Sequence, residues 1–367
     1  MTDKFSELQI LVLVLAPFCS AGVARLLMIQ APKWGLIDHP GHRKVHREPT
    51  PLVGGLAMLV TLLGLQIVAG RVPFESWSLI TAVLIVTGIG VADDAHELSH
   101  RAKFVAQVIG AGVIVSGTSV WVLGLGDLFG LGDIALGKWA ILVTVISIVG
   151  VMNAINMIDG LDGLAGSICM GPVVVLAWLA FGAGHAGEAF ELSLLAGAIL
   201  GFLALNLRLP GRPRALLFMG DTGGMILGML MAWYSIKLGG SSSSTIQPMT
   251  AVWVLAMPLL DMGGVMLLRI SQRKSPFHAD QQHMHHVLLH AGYSVNQVVA
   301  IMGVFSIGFG VLGVIGERSG VPQSAMFVAF LFLWAGYVWA LKSPATLHSI
   351  IHRLVCPAAD STHLPKT

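Results

Sequence analysis

Eleven long apolar runs, separated by short polar segments, constrain this chain more than any other feature of its sequence. They lie near residues 8–30, 52–69, 77–92, 104–123, 138–154, 168–183, 192–207, 222–238, 249–268, 297–316 and 323–341. A helix needs about 20 mostly apolar residues to cross a bilayer. Only 11% of the residues are charged, against about 25% in soluble domains. We therefore predict an all-α polytopic membrane protein with about eleven transmembrane helices. Residues 1–341 are expected to form one transmembrane domain and residues 342–367 a cytoplasmic tail.

The distribution of basic residues predicts the orientation of the chain. Cytoplasmic loops carry an excess of Lys and Arg. If the N-terminus is periplasmic, the inner segments hold fifteen of the 21 Lys and Arg residues and thirteen of the 14 histidines. We therefore predict a periplasmic N-terminus, a cytoplasmic C-terminus, and an active site at inner helix ends and cytoplasmic loops. The net charge of +2 is too small to indicate binding of nucleic acid.

Two adjacent acids, Asp93 and Asp94, follow the third apolar run. A helix C-terminus carries partial negative charge, so two carboxylates are unfavourable there. A divalent cation would remove the conflict, and Mg²⁺ prefers carboxylate oxygen ligands. The alternative is an ordinary helix end with both acids in water.

A polar residue recurs at every third position at the inner end of the fifth run, in the order Asn153, Asn156, Asp159, Asp162. If the segment is helical, these four side chains share one face. Polar groups at membrane depth are costly unless they are used. A ligand site is therefore favoured over a polar contact between helices.

The segment Phe218–Gly224 opens the eighth run. Free N–H groups at a helix N-terminus bind anions, so we expect an anion site here, with Asp221 as a metal ligand, as the N-cap, or as both. Phe218 alone indicates an anchor at the membrane interface. Arg212 and Arg214 precede the segment, and they either pair with phosphates or only mark the inner face.

Three clustered histidines, His283, His285 and His286, follow the ninth run. Such clusters can ligate zinc, but the flanking residues include no thiolate, so contact with phosphate or metal-bound water fits better. Asp261 lies within the ninth run, and an intramembrane acid indicates function by default. Pairing with Arg269, two helical turns later, is the structural alternative.

In their order along the chain, these motifs resemble one family. Pro51-Leu-Val-Gly-Gly55, Asp93-Asp94, Asn153–Gly163, Phe218-Met-Gly-Asp221 and His283-Met-His-His286 are similar to the motifs of the polyprenyl-phosphate N-acetylhexosamine-1-phosphate transferases. The similarity runs from about Gly35 to Tyr293. One branch of the family transfers GlcNAc-1-phosphate and another transfers phospho-MurNAc-pentapeptide. Met284 interrupts the three adjacent histidines of the second branch, so the chain looks closer to the first.

The resemblance implies a reaction in which a UDP-N-acetylhexosamine and undecaprenyl phosphate give an undecaprenyl-diphospho-sugar and UMP, with Mg²⁺ or Mn²⁺ as cofactor. UDP-GlcNAc is the expected donor, with UDP-GalNAc and UDP-FucNAc as alternatives. The expected location is the bacterial inner membrane, in contact with membrane lipid. A homodimer is left open, and an ion-coupled transporter is the alternative class of protein.

The resemblance also implies which residues form the candidate site. Its expected catalytic residues are Asp93, Asp94, Asp221 and His283, of which the three aspartates are also the expected metal ligands. The expected substrate-binding residues are Asn153, Asn156, Asp159, Asp162, Phe218, Arg212, Arg214, His285, His286 and Lys44. Direct attack by the lipid phosphate is preferred over an aspartyl-phosphosugar intermediate, because a phosphate monoester is already largely ionised at neutral pH.

Overall fold

The computed structural model of the chain describes residues 5–40, 48–72, 76–240, 245–276 and 282–343. Within these ranges it contains thirteen α-helices and one pair of two-residue strands. The helices are α1 (Glu7–Trp34), α2 (Gly54–Val68), α3 (Trp77–His96), α4 (His100–Gly117), α5 (Ala140–Ile158), α6 (Leu164–Gly182), α7 (Ala186–Asn206), α8 (Gly220–Gly239), α9 (Pro248–Val254), α10 (Ala256–Ser271), α11 (Met284–His290), α12 (Val295–Arg318) and α13 (Gln323–Lys342). The antiparallel strands are β1 (Ile37–Asp38) and β2 (Thr50–Pro51). The predicted tail lies outside the described residues from residue 344 onwards.

Each predicted apolar run coincides with a helix or, for the ninth run, with the pair α9 and α10. Seven of the described helices are long and apolar enough to cross a membrane, and eight if the bent pair counts as one span. Large apolar side chains cover the outer surface, among them Phe18 (72% exposed), Trp77 (75%) and Phe332 (73%). Such a surface requires lipid around it. The chain is therefore an all-α polytopic membrane protein.

Helix α8 is the centre of the bundle, and it is buried along nearly its whole length. It packs against α2, α3, α5, α6 and α9. Glycine permits the close approach to α5, since a Cβ at Gly228 would lie 2.5 Å from the Cα of Met152. The start of α8 therefore lies next to the ends of several other helices.

The chain turns by 79° between α9 and α10. Pro258 explains the break, because proline has no N–H and its ring clashes with the carbonyl four residues earlier. That carbonyl belongs to Val254, where α9 ends. The single span predicted over residues 249–268 is thus two helices, and the hydrophobicity of the run gives no sign of the bend.

Candidate active site

Two glycines bring the start of α2 against the turn before α8. The N–H of Gly54 donates to the carbonyl oxygen of Phe218 at 3.0 Å. The N–H of Gly55 donates to that of Met219 at 2.9 Å. A Cβ at Gly55 would overlap the backbone of Gly223, so any other residue would push the two helices apart. The double-glycine motif therefore positions the entry to α8.

The carboxylate of Asp94 occupies the N-terminus of α8. Its oxygens accept hydrogen bonds from the N–H of Asp221 (2.8 Å), the N–H of Thr222 (3.2 Å) and the hydroxyl of Thr222 (2.6 Å). Gly220 has a φ of +72°, and a Cβ there would lie 2.5 Å from Asp94 Oδ2. The expectation of free N–H groups at this helix end is therefore wrong, because Asp94 takes two of them. Asp221 lies in the first turn, and the N-cap is Met219.

Lys103, in the first turn of α4, joins two of the predicted metal ligands. Its Nζ lies 3.0 Å from Oδ2 of Asp93 and 2.6 Å from Oδ2 of Asp221. Asp93 also accepts the N–H of Leu98 at 2.7 Å, so a cation and a backbone donor stabilise this acid at the end of α3. In the sequence Lys103 is only one basic residue of an inner loop, and nothing in its neighbours indicates the pairing.

A loop, and not a continuous helix, connects α5 to α6. Gly163 in this loop has a φ of +83°, which an L-residue rarely adopts. The predicted helical face is therefore wrong for its last two members, Asp159 and Asp162. Asn153 and Asn156 do lie on α5.

The carboxylate of Asp162 ties this loop to the segment before α8. It lies 2.7 Å from Nε of Arg208 and accepts the N–H of Ala215 at 3.2 Å. Asn206 adds a second tie, since its Oδ1 accepts the N–H of Gly163 at 2.7 Å. These contacts fix the loop beside the start of α8.

Asp159 directly follows the last residue of α5. Its pKa is raised to about 7, because protein surrounds it and because the charges of Asp221, Asp94 and Asp162 act on it. Four carboxylates from three segments of the chain thus repel one another at one place.

The two asparagines of α5 have different surroundings. Nδ2 of Asn153 donates to Oε1 of Gln107 (2.7 Å) and to the carbonyl of Val149 (2.8 Å). Asn153 therefore makes the polar contact between helices that was the alternative reading of the motif. Asn156 faces α8, because a Cβ at Gly224 would overlap its Oδ1. That oxygen is buried and has no hydrogen-bond partner among the described residues.

His285 covers the loop between α5 and α6, because a Cβ at Gly160 would overlap its Nε2. The residue is 1% exposed, and within the described ranges neither ring nitrogen has a hydrogen-bond partner. The rings of His283 and His286 lie 5.6 Å and 4.1 Å from its own, centroid to centroid. Burial, together with His286, lowers the pKa of His285 to about 3. The ring is therefore neutral at physiological pH.

His283 is paired with Asp261 of α10. Nδ1 of His283 lies 2.6 Å from Oδ2 of Asp261. Oδ1 of Asp261 accepts the N–H of Met284 (3.0 Å) and the hydroxyl of Tyr337 (2.7 Å). Arg269 instead donates to a backbone carbonyl seven residues along the chain at 2.7 Å. Of the two interpretations of Asp261, the structural alternative of a pairing with Arg269 is therefore not formed.

The remaining candidates lie at the rim of this cluster or beyond it. Arg212 donates to two carbonyl oxygens at the end of α7, at 2.8 Å and 2.6 Å. Arg214 pairs with Glu48, and both side chains are more than half exposed. Phe218 is partly buried. Lys44 lies outside the described residues.

The similarity of this chain to known proteins extends over most of its length. A family model described as Glycosyl transferase family 4 matches residues 76–239. The undecaprenyl-phosphate alpha-N-acetylglucosaminyl 1-phosphate transferase of Haemophilus influenzae is 31% identical over 329 residues, which are 89% of this chain and 93% of that protein. The chain belongs to the polyprenyl-phosphate N-acetylhexosamine-1-phosphate transferase family. Proteins of the same name from Yersinia pestis (30% identical, 87% of each chain) and Escherichia coli K12 (31%, 88% of each chain) are similar to it over the same extent.

The acidic residues of this transferase suit a divalent cation that substrate helps to bind. Within the described ranges, no three His, Cys, Asp or Glu side chains are arranged to hold a metal ion. Mg²⁺, however, usually binds through one or two carboxylates and completes its shell with water and substrate phosphates. Asp93 and Asp221 supply two such carboxylates, brought together by Lys103. The donor set therefore fits Mg²⁺ or Mn²⁺.

Proposed function

We propose that this transferase moves GlcNAc-1-phosphate from UDP-GlcNAc to undecaprenyl phosphate and releases UMP. The observation that carries the proposal is the meeting of Asp93, Asp94, Asp159 and Asp221, of which Asp93 and Asp221 pair with Lys103. A cluster of carboxylates with one resident cation suits a reaction that joins two phosphate groups with the help of a metal ion. The donor sugar and the acceptor follow the name that the relatives carry.

The acceptor phosphate is the nucleophile in the reaction that we propose. A phosphate monoester has a second pKa of about 6, so it is largely a dianion at neutral pH and needs little help from a base. One of its oxygens attacks the β-phosphorus of UDP-GlcNAc. The bond between that phosphorus and the bridging oxygen breaks, and UMP leaves with the electron pair. A phosphosugar trapped on Asp93 or Asp94 in the absence of lipid would contradict this direct route.

The acidic cluster and Lys103 have different roles in this step. Asp93 and Asp221 hold Mg²⁺ or Mn²⁺, which when bound neutralises charge on the pyrophosphate. Asp94 fixes the backbone of Asp221 through the hydrogen bonds at the start of α8. Lys103 then turns from its two carboxylates toward the acceptor phosphate and reduces the repulsion between the two substrates.

The other candidate residues contact the donor. His283, His285 and His286 meet the pyrophosphate or the sugar, and Phe218 stacks on uracil. The remaining positions along the nucleotide site are Asn153, Asn156, Asp159, Asp162, Arg212, Arg214 and Lys44. Among these, the buried and unpartnered Oδ1 of Asn156 gives the most direct support for a ligand.

A cytoplasmic site in the bacterial inner membrane suits both substrates. UDP-sugars are soluble, and the phosphate of the acceptor lies at the membrane surface. We place the N-terminus in the periplasm, count α9 and α10 as one span, and thereby obtain eleven spans with a cytoplasmic C-terminus. Basic residues of the inner loops attract anionic headgroups at that surface.

Release of UMP by the purified protein tests the proposal. The protein in detergent or nanodiscs is supplied with undecaprenyl phosphate, Mg²⁺ and, in separate reactions, UDP-GlcNAc, UDP-GalNAc or UDP-FucNAc. We expect the fastest release of UMP with UDP-GlcNAc, loss of activity with a chelator, and recovery with Mg²⁺ or Mn²⁺. The absence of UMP with every donor would overturn the proposed reaction.

A further inference from the structure

We propose that Asp261 and Tyr337 are positioning residues that hold the ring of His283 at the candidate site. Through them the last described helix, α13, takes part in the transfer reaction. The inference rests on the proposed function, because it assigns a role within that same site.

Three donors converge on the buried carboxylate of Asp261, which is 0% exposed. Its Oδ2 lies 2.6 Å from Nδ1 of His283, and its Oδ1 accepts from the hydroxyl of Tyr337 (2.7 Å) and the N–H of Met284 (3.0 Å). A buried charge is tolerated when it is paired and hydrogen-bonded. These contacts meet that requirement, and they come from two other segments of the chain, the start of α11 and α13.

The chemistry of the carboxylate sets the tautomer of His283. An ionised carboxylate only accepts hydrogen bonds, so Nδ1 of His283 must carry the proton that it shares with Asp261. The partner of one ring nitrogen fixes the state of the other in this way. Nε2 is then the ring nitrogen that Asp261 leaves available to the donor substrate.

A series of contacts connects the ring of His283 with the acidic cluster. It stacks on His285 with 16° between the two planes, and His285 covers Gly160. Gly160 follows Asp159, whose carboxylate interacts electrostatically with Asp221. A chain of contacts therefore leads from α13 through Asp261 to the loop beside the start of α8.

A purely anchoring role would use the same contacts, because Asp261 also holds the first turn of α11 through Met284. The two roles differ in what the substitutions do when His283 is absent. A positioning residue that acts through His283 has nothing left to position in that background.

A double-mutant cycle makes this distinction. Tyr337→Phe and Asp261→Asn are each introduced into the wild-type protein and into His283→Ala, and UMP release is measured with UDP-GlcNAc and undecaprenyl phosphate. In the wild-type background we expect kcat to fall about 10-fold for Tyr337→Phe and about 100-fold for Asp261→Asn, with little change in KM. In the His283→Ala background neither change should lower kcat further, because residues that act as a unit are not additive. Equal losses in both backgrounds would overturn the proposal.

Tyr234→Phe is the matched control. The hydroxyl of Tyr234 donates to the buried carboxylate of Glu191 at 2.5 Å, toward the end of α8 that lies away from Asp221. Its removal deletes the same kind of hydrogen bond without touching the candidate site, so kcat should stay at the wild-type value. Equal losses of kcat in Tyr234→Phe and Tyr337→Phe would contradict a specific role for Tyr337.

Nuclear magnetic resonance of protein with ¹⁵N-labelled histidine tests the contact between Asp261 and His283 without any assay of activity. The signal of His283 is the one that His283→Ala removes. We expect it to report a proton on Nδ1, and we expect Asp261→Asn to change it. An Nε2–H tautomer in the wild-type protein would overturn the proposed role of Asp261 even if the enzyme were active. If no donor gave UMP, the proposed function would fail, and the tautomer would still be measured.

Discussion

The carboxylate of Asp94 accepts two hydrogen bonds from Thr222, one from its N–H and one from its hydroxyl. The end of α3 is thereby tied to the start of α8. An anion at a helix N-terminus is favoured by the partial positive charge there. Asp94 therefore stabilises α8, the helix that carries Asp221, and also fixes the position of the first turn of that helix.

Thr222→Val keeps the shape of this buried side chain and removes the hydroxyl. We expect a loss of stability of about 1–3 kcal/mol, because a carboxylate loses a charge-assisted hydrogen bond, and a fall in UMP release. Thermal unfolding in detergent and the UMP assay measure the two effects. Thr61→Val is the control, since the hydroxyl of Thr61 bonds only to the carbonyl of Ala57 in its own helix. Equal effects of the two substitutions would contradict the special role of Thr222.

Asp221→Asn is expected to abolish turnover while the protein still inserts and elutes as a single species. The substitution removes the charge that we assign to metal binding and retains the volume of the side chain. UMP release over a range of Mg²⁺ concentrations measures the effect. Near-normal activity of this variant would refute the metal role of Asp221.

Lys103→Met is expected to lower kcat/KM about 100-fold, the size of effect seen when one group that stabilises a transition state is removed. Lys103→Arg retains the charge and should lose less activity. Lys237→Met deletes a comparable ion pair, 2.7 Å from Glu188, away from the acidic cluster. If Lys237→Met lost as much activity as Lys103→Met, the effect would reflect general destabilisation.

Gly160→Ala tests the contact between the loop and the histidines. The added Cβ would overlap Nε2 of His285, so the ring must move, and UMP release should fall even though the protein remains folded. Gly150→Ala is the control, because a Cβ at Gly150 meets nothing within 4 Å. Full activity of Gly160→Ala would show that the position of His285 does not matter for transfer.

The buried ring of His285 predicts a pH dependence of stability. Its pKa in the folded protein is about 3, whereas an unperturbed histidine titrates near 6.5. Below about pH 6.5 the unfolded chain binds a proton that the folded protein does not bind. The free energy of unfolding therefore decreases as the pH is lowered. The contribution between pH 7 and pH 5 is about 2 kcal/mol, and the loss continues until about pH 3.

Thermal unfolding at pH 7 and pH 5 measures this effect. The destabilisation at pH 5 should be smaller in His285→Gln, which lacks the titrating ring. The same pH dependence in both proteins would contradict the assignment of a neutral, buried imidazole to His285.

Hydrophobic patterning predicted the helices of this fold well, because each element that faces lipid must be apolar along its length. It could not predict the 79° bend, since Pro258 interrupts the hydrogen bonding of a helix without interrupting its hydrophobicity. The spacing of Asn153, Asn156, Asp159 and Asp162 would put all four on one face only if the segment were helical throughout. Three-residue spacing is compatible with a helix, but α5 ends at Ile158 and the backbone of Asp159, with a ψ of 78°, is no longer helical.

The ion-pair and hydrogen-bond partners of the candidate site residues were harder to predict than the residues themselves. Lys103 reaches Asp221 across 118 positions of sequence, and a lone lysine carries no signal of such a contact. For Asp261 the sequence leaves open a functional role or a pairing with Arg269 on the same helix, and the structure shows neither Arg269 nor any other residue of α10 as its partner among the contacts described. The correct partner, His283, follows the reversal of the chain after α10, which places it 22 positions away.

The carboxylate of Asp94 at the start of α8 affects which anions can bind at this helix end. A bare phosphate that arrives without a cation meets Asp94 where a helix N-terminus would otherwise offer free N–H groups, and it meets Asp93 and Asp221 beside them. We therefore expect free phosphate and other small anions to bind weakly, because the protein's own carboxylate occupies the place where they would otherwise bind.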